Sequence, residues 1–130
     1  FLESLAAADV ILIAPSNPYV SIGPILAVPG IREALGRRHA PCVAISPLVG
    51  GRAVKGPADR MLRRLAGGTT PAHVASCYEG LIDALVLDVS DAPADLPPGV
   101  RPVVTRTLMT DLDAARRLAS DALNAAGAPA

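Results

Sequence analysis

Four short aliphatic runs, each bounded by turn-forming residues, constrain this chain more than any other feature. The first, Val10-Ile11-Leu12-Ile13-Ala14, is apolar at every position, as expected of a parallel strand covered on both faces. Cys42-Val43-Ala44-Ile45-Ser46 is the second and Ala84-Leu85-Val86-Leu87 the third; residues 102–105 carry a fainter fourth. Helical patterns fall between and after them. Residues 29–37 open on a proline suited to a first helical turn, pair Ile31 with Leu35, and end on Arg37-Arg38, which complement the helix dipole. Residues 57–66 space Met61, Leu62 and Leu65 helically and stop at Gly67-Gly68. Residues 71–79 follow the capping candidates Thr69-Thr70. Residues 112–126 follow Asp111, an N-cap residue, and place Leu112, Ala115, Leu118, Ala119 and Leu123 on one stripe. Strand and helix alternate throughout, which predicts an α/β fold: a mostly parallel sheet with helices on both faces. Residues 91–98 read as a surface loop, and residues 125–130 as an alanine-rich tail.

A length of 130 residues suffices for one domain with its own core. The chain opens on Phe1-Leu2-Glu3-Ser4-Leu5, which reads like helix interior, so the expectation is a single domain, 1–130, that is the C-terminal fragment of a larger protein. With 12 basic and 12 acidic residues, no global field recruits nucleic acid or an anionic membrane. The scarcity of aromatics (Phe1, Tyr19, Tyr78) argues against base stacking. No apolar run approaches the roughly 20 residues of a membrane span. No signal-peptide pattern is present. Cys42 and Cys77 form neither a disulfide framework nor a zinc spacing, so a cytoplasmic location is expected.

In open parallel sheets ligands bind beyond the C-terminal ends of the strands. Four segments there are rich in residues that do not serve packing; Asp88-Val89-Ser90-Asp91 and Thr107-Leu108-Met109-Thr110 say less than the other two. The first is Pro15-Ser16-Asn17-Pro18-Tyr19-Val20-Ser21-Ile22-Gly23-Pro24. Its prolines hold the path rigid while Ser16, Asn17 and Ser21 offer hydrogen bonds to ligand oxygens; an ordinary turn is the competing reading. The second runs from Pro47 through Gly50-Gly51 to Lys55-Gly56-Pro57. Gly50 and Gly51 allow close backbone approach to a ligand. Lys55 and Gly56 stand at a predicted helix N-terminus, where free N–H groups and a positive dipole end suit phosphate. A solvated lysine in a glycine-rich connector is the alternative, and the order of residues is not that of a P-loop. Asp88 and Asp91, after the third strand, suit Mg²⁺, a ligand hydroxyl or loop capping. His39 and His73 lack metal-ligand partners at useful spacing and read as surface or structural residues. No covalent nucleophile motif is present.

At the two loops the sequence resembles a known family. Ala8-Asp9-Val10-Ile11-Leu12-Ile13-Ala14-Pro15-Ser16-Asn17-Pro18-Tyr19-Val20-Ser21-Ile22-Gly23-Pro24-Ile25-Leu26 is similar to the central signature of the CofD family. Val49-Gly50-Gly51-Arg52-Ala53-Val54-Lys55-Gly56-Pro57-Ala58-Asp59-Arg60-Met61 is similar to its second signature. Val74-Ala75, Tyr78, Gly80-Leu81 and Leu87-Asp88 are similar to the family's next helix and strand. The resemblance implies a Rossmann-like fold and 2-phospho-L-lactate transferase chemistry in coenzyme F420 biosynthesis. A phospholactyl group, or a phosphoenolpyruvyl group in the actinobacterial phosphoenolpyruvate transferase type, passes from a diphospho-guanosine donor to the deazaflavin Fo. GMP leaves, and Mg²⁺ assists. An Ala-, Arg- and Pro-rich composition of the kind that high-GC actinobacteria produce points toward the phosphoenolpyruvyl donor.

Carried over residue by residue, the resemblance makes Ser16, Asn17, Pro18, Ser21, Gly50, Gly51, Lys55 and Gly56 the nucleotide and substrate contacts. The partners implied are small molecules, Fo and the guanosine donor, with homodimerisation left open. The family's N-terminal glycine-rich phosphate loop and early metal-binding aspartates have no counterpart here. The Mg²⁺ ligands are therefore expected outside this stretch, Asp88 being the one candidate within it, and the fragment alone is expected to be inactive. A related family of nucleotide-sugar-responsive regulators, of the gluconeogenesis-factor type, is the alternative reading. Lys55-Gly56-Pro57 argues for the transferase branch.

Overall fold

The computed structural model describes residues 1–127; the last three positions of the alanine-rich tail, 128–130, lie outside the described residues. The four aliphatic runs form one parallel sheet in the order β1 (Ile11–Ile13), β2 (Cys42–Ile45), β5 (Ala84–Asp88) and β6 (Arg101–Thr105). A separate antiparallel hairpin, β3 (Leu48–Val49) and β4 (Arg52–Ala53), follows β2. The helices are α1 (Leu2–Ala7), α2 (Gly23–Leu26), α3 (Ile31–Gly36), α4 (Ala58–Leu65), α5 (Pro71–Ser76) and α6 (Leu112–Ala125).

Helices cover both faces of the sheet, for the reason its strands are apolar throughout. Alternate residues of each strand point to opposite sides. Ile11, Ile13, Cys42, Ala44 and Leu85 meet Leu26, Ile31, Leu35, Leu62, Val74 and Tyr78 on one face. Val43, Ile45, Ala84 and Val86 meet Leu118, Ala122 and Ala125 of α6 on the other. The central strands β2 and β5 are buried along their whole length. Among the described residues no strand pairs with the outer edge of β1, and Leu12, on the α6 side, is 41% exposed. No helix among the described residues is long and apolar enough to cross a membrane.

Three expectations change in detail. Helix α3 begins at Ile31, two residues after Pro29, because Gly30 takes a left-handed conformation (φ 90°) that breaks the path. Helix α6 is rotated from the expected stripe: Ala114, Leu118, Ala122 and Ala125 are buried, while Leu112 is 65% and Leu123 37% exposed. Small side chains on that face let the helix lie close to the sheet, which outweighs burying two leucines. Its cap is as expected, with the Asp111 carboxylate accepting the Ala114 amide at 2.7 Å. The loop after β1 is also more ordered than its prolines suggest. Residues Pro18–Ile22 form a single π-helical turn running straight into α2.

His73 is structural. Its Nδ1 accepts the Thr70 amide (3.2 Å) and lies 2.7 Å from the Thr70 hydroxyl at the start of α5. A Cβ on Gly68 would come within 2.4 Å of the imidazole, so a larger residue there would have to displace the His73 ring from Thr70. Cys42 and Cys77 are free thiols; burial pushes the Cys42 thiol up to about 11.

Candidate functional site

The two singled-out loops converge on one cleft of about 410 Å³ at the C-terminal rim of the sheet. Pro15, Ser16, Asn17, Val20 and Ser21 form one wall. Val49, Val54, Lys55, Gly56 and Pro57 form the facing one. Ser46 and Pro47, at the end of β2, and Thr107 and Met109, after β6, close the floor. The strand ends thus place every wall of the cleft on a single rim, the position ligands occupy in such sheets. Among the described residues, Lys55 is the cationic side chain of this lining, and no carboxylate belongs to it.

Each wall has a local cause. Asn17 caps the π-helical turn: its Oδ1 accepts the amides of Tyr19 (2.8 Å) and Val20 (3.2 Å). Its Nδ2 reaches the sulfur of Met61 in α4 at 3.5 Å. Oδ1 thus holds its own turn and one Nδ2 proton joins the two walls, leaving the other Nδ2 proton for a ligand, while Ser16 and Ser21 make no side-chain hydrogen bond to a described protein group. Pro18 starts the turn, is buried, and faces away from the cleft. On the facing wall Gly56 has φ 75° and open space where a Cβ would stand, so glycine serves the backbone path there. Pro57 caps α4, whose first turn carries Asp59; the Arg60 amide on that carboxylate holds its pKa below the ordinary value.

Gly50 and Gly51 are used differently from the expectation that they admit a ligand. Both have positive φ (62° and 74°) and make the two-residue turn of the β3–β4 hairpin. They lie outside the cleft and face Asp91, whose pKa burial raises while the Gly51 and Gly50 amides lower it. Gly51→Ala should therefore cost about 1–2 kcal/mol through left-handed strain, with a lowered melting temperature. Nucleotide affinity should stay unchanged; a selective loss of affinity at full stability would return Gly51 to the binding site.

Asp88 serves loop capping. It is 6% exposed and ends β5 beneath the cleft. Oδ2 accepts the Ser90 amide (3.0 Å) and hydroxyl (2.5 Å), and Oδ1 the Thr107 amide (2.9 Å) and hydroxyl (3.3 Å). Burial alone would raise its pKa, but the bonds from Ser90 and Thr107 outweigh burial and hold the carboxyl below its usual range. No group of three or more His, Cys, Asp or Glu side chains among the described residues could hold a metal ion.

Sequence reasoning assigned the floor no role. Ser46 (2% exposed) and Thr107 (6%) are buried polar residues lining the cleft. The signal for both was a hydroxyl residue at or just past a strand's C-terminal end, a common place for residues that merely end strands.

Comparison with known proteins agrees with the geometry. The family described as 2-phospho-L-lactate transferase CofD matches residues 1–125. The chain is 46% identical over 129 residues to a phosphoenolpyruvate transferase of Streptomyces coelicolor, covering 96% of this chain and 40% of that protein. It is 39% identical over 120 residues to a 2-phospho-L-lactate transferase of Methanococcoides burtonii, covering 90% of this chain and 39% of that protein. The chain thus spans about 40% of the length of these curated relatives. Among solved structures, a UPF0052 family protein from Bacillus halodurans shares the fold: TM-score 0.54, 21% identity, 92% of this chain and 44% of that one.

Proposed function

The chain belongs to the CofD family, and on that premise we propose that it is the C-terminal part of a transferase acting on Fo in coenzyme F420 biosynthesis. The donor is a diphospho-guanosine compound carrying a phosphoenolpyruvyl group, the choice favoured by the name of the Streptomyces coelicolor relative. The terminal hydroxyl of Fo attacks the β-phosphorus. A new O–P bond forms there, the bond from that phosphorus to the bridging oxygen breaks, and GMP departs with the bridging oxygen. The hydroxyl proton is lost to solvent. Such transfers ask the protein for positioning and charge stabilisation more than for a nucleophile. Lys55, the Gly56 amide and the hydroxyls of Ser16 and Ser21 hold the diphosphate, and Asn17 fixes the spacing of the two walls.

The observation that carries this reading is the convergence of both matching loops on one cleft with, among the described residues, a single cation and no carboxylate in its lining. That lining does not fit a divalent metal. The Mg²⁺ ion implied by the family would take its ligands from outside this chain, and no step here is routed through it.

The test is to supply Fo and the authentic guanosine donor to the parent protein of the relatives' length. Mass spectrometry should find the coupled product together with GMP. No Fo-derived product would reject the reading. A thermal-shift response to UDP-sugars, without one to GDP or Fo, would move the protein to the regulator class.

A further inference from the structure

The polarity of the cleft floor separates Thr107 from the other lining residues. An ionised carboxylate only accepts hydrogen bonds. The Thr107 hydroxyl lies 3.3 Å from Asp88 Oδ1, a long bond in which the hydroxyl is the donor and the carboxylate the acceptor. What Oγ1 has left for a ligand is lone pairs. Ser46 is the reverse: its Oγ accepts the Leu48 amide at 3.2 Å, so its proton remains free to donate. The Lys55 ammonium and the Gly56 amide are also donors. A phosphoryl oxygen, which only accepts, is thus matched by the Lys55 wall and mismatched by Thr107. A hydroxyl, which can donate, suits Thr107.

Resting on the transferase reading above, we propose that Thr107 orients the attacking hydroxyl of the acceptor, and that Asp88 is the positioning residue that makes Thr107 an acceptor. A hydroxyl donating its proton to Thr107 Oγ1 turns its own lone pairs away from the threonine and toward the diphosphate. Asp88 does not act as the base. The bonds that hold its carboxyl low make it a poor proton sink, so the arrangement aims the nucleophile and leaves the proton to solvent.

Steady-state kinetics of the parent protein tests this. Thr107→Val keeps the shape and removes the hydroxyl. It should lower kcat/KM for Fo by roughly ten- to a hundredfold while the KM for the guanosine donor changes by less than about twofold. Thr107→Ser should restore most of the loss. A rise in donor KM would make Thr107 a phosphate contact, and unchanged Fo kinetics would remove it from the site; either overturns the proposal. A variant-free measurement guards against a folding defect. An Fo analogue whose terminal hydroxyl is replaced by hydrogen should bind wild-type protein about tenfold more weakly than Fo. Equal binding would overturn the proposal. Wild-type protein that forms no coupled product would instead sink the transferase reading, and this inference with it.

Discussion

Asp88→Ala will lower the stability of the domain by about 2–3 kcal/mol, since the buried Thr107 amide left unpaired costs roughly 1–3 kcal/mol and the exposed Ser90 amide, which water can reach, costs less. The side chain satisfies the amides of both Ser90 and Thr107 from a position 6% exposed, so both lose their partner at once. In a chain of this size that corresponds to a fall of about 10 °C in melting temperature. Calorimetric melting is the check, and a loss below about 1 kcal/mol would show that water replaces the carboxylate at little cost. The sign of the pH dependence comes from the depressed folded pKa. The stabilisation is fully present above the unfolded value of about 3.9 and is lost as pH falls through the folded value. The gap between wild type and variant should stay constant near neutrality and narrow only in acid.

Lys55→Ala will weaken GDP binding by the parent protein about tenfold, the worth of one charge-assisted contact at a solvent-facing wall. The side chain is exposed and the described lining holds no carboxylate to pair with it, so its removal should leave the fold unchanged. Added salt should narrow the difference, because an exposed charge is screened. Unchanged affinity by titration calorimetry would remove Lys55 from the site.

Much of the fold could be read from the chain because its strands are buried on both faces. A continuous aliphatic run such as Cys42-Val43-Ala44-Ile45 has few alternatives to an interior parallel strand. The two walls of the cleft could be read for a related reason: Ser16, Asn17 and Lys55-Gly56 interrupt that apolar pattern where packing has no use for them. The errors lie where one residue type serves two geometries. A Gly-Gly pair permits both close ligand approach and a tight hairpin, and only the pairing of Val49 with Arg52 decides between them. Asn17 serves two purposes at once, capping its turn through Oδ1 while it lines the cleft. The face of α6 was misjudged because hydrophobicity ranks leucine above alanine, whereas close approach to Val43 and Val86 ranks them the other way. Thr107 stands on the ligand side in the sequence but carries no role there, because its meaning comes from Asp88, on a neighbouring strand.

The cleft draws its lining from Pro15 at one extreme and Met109 at the other. Segments so distant along the chain meet only after the β1, β2, β5 and β6 registers are complete. A ligand that binds the assembled cleft and not the unfolded chain links its occupancy to folding. Any molecule seated there reinforces the whole sheet by mass action. A defect far from the rim, in the packing beneath α6 for instance, would then lower the melting temperature first and touch affinity only once the unfolded fraction becomes appreciable.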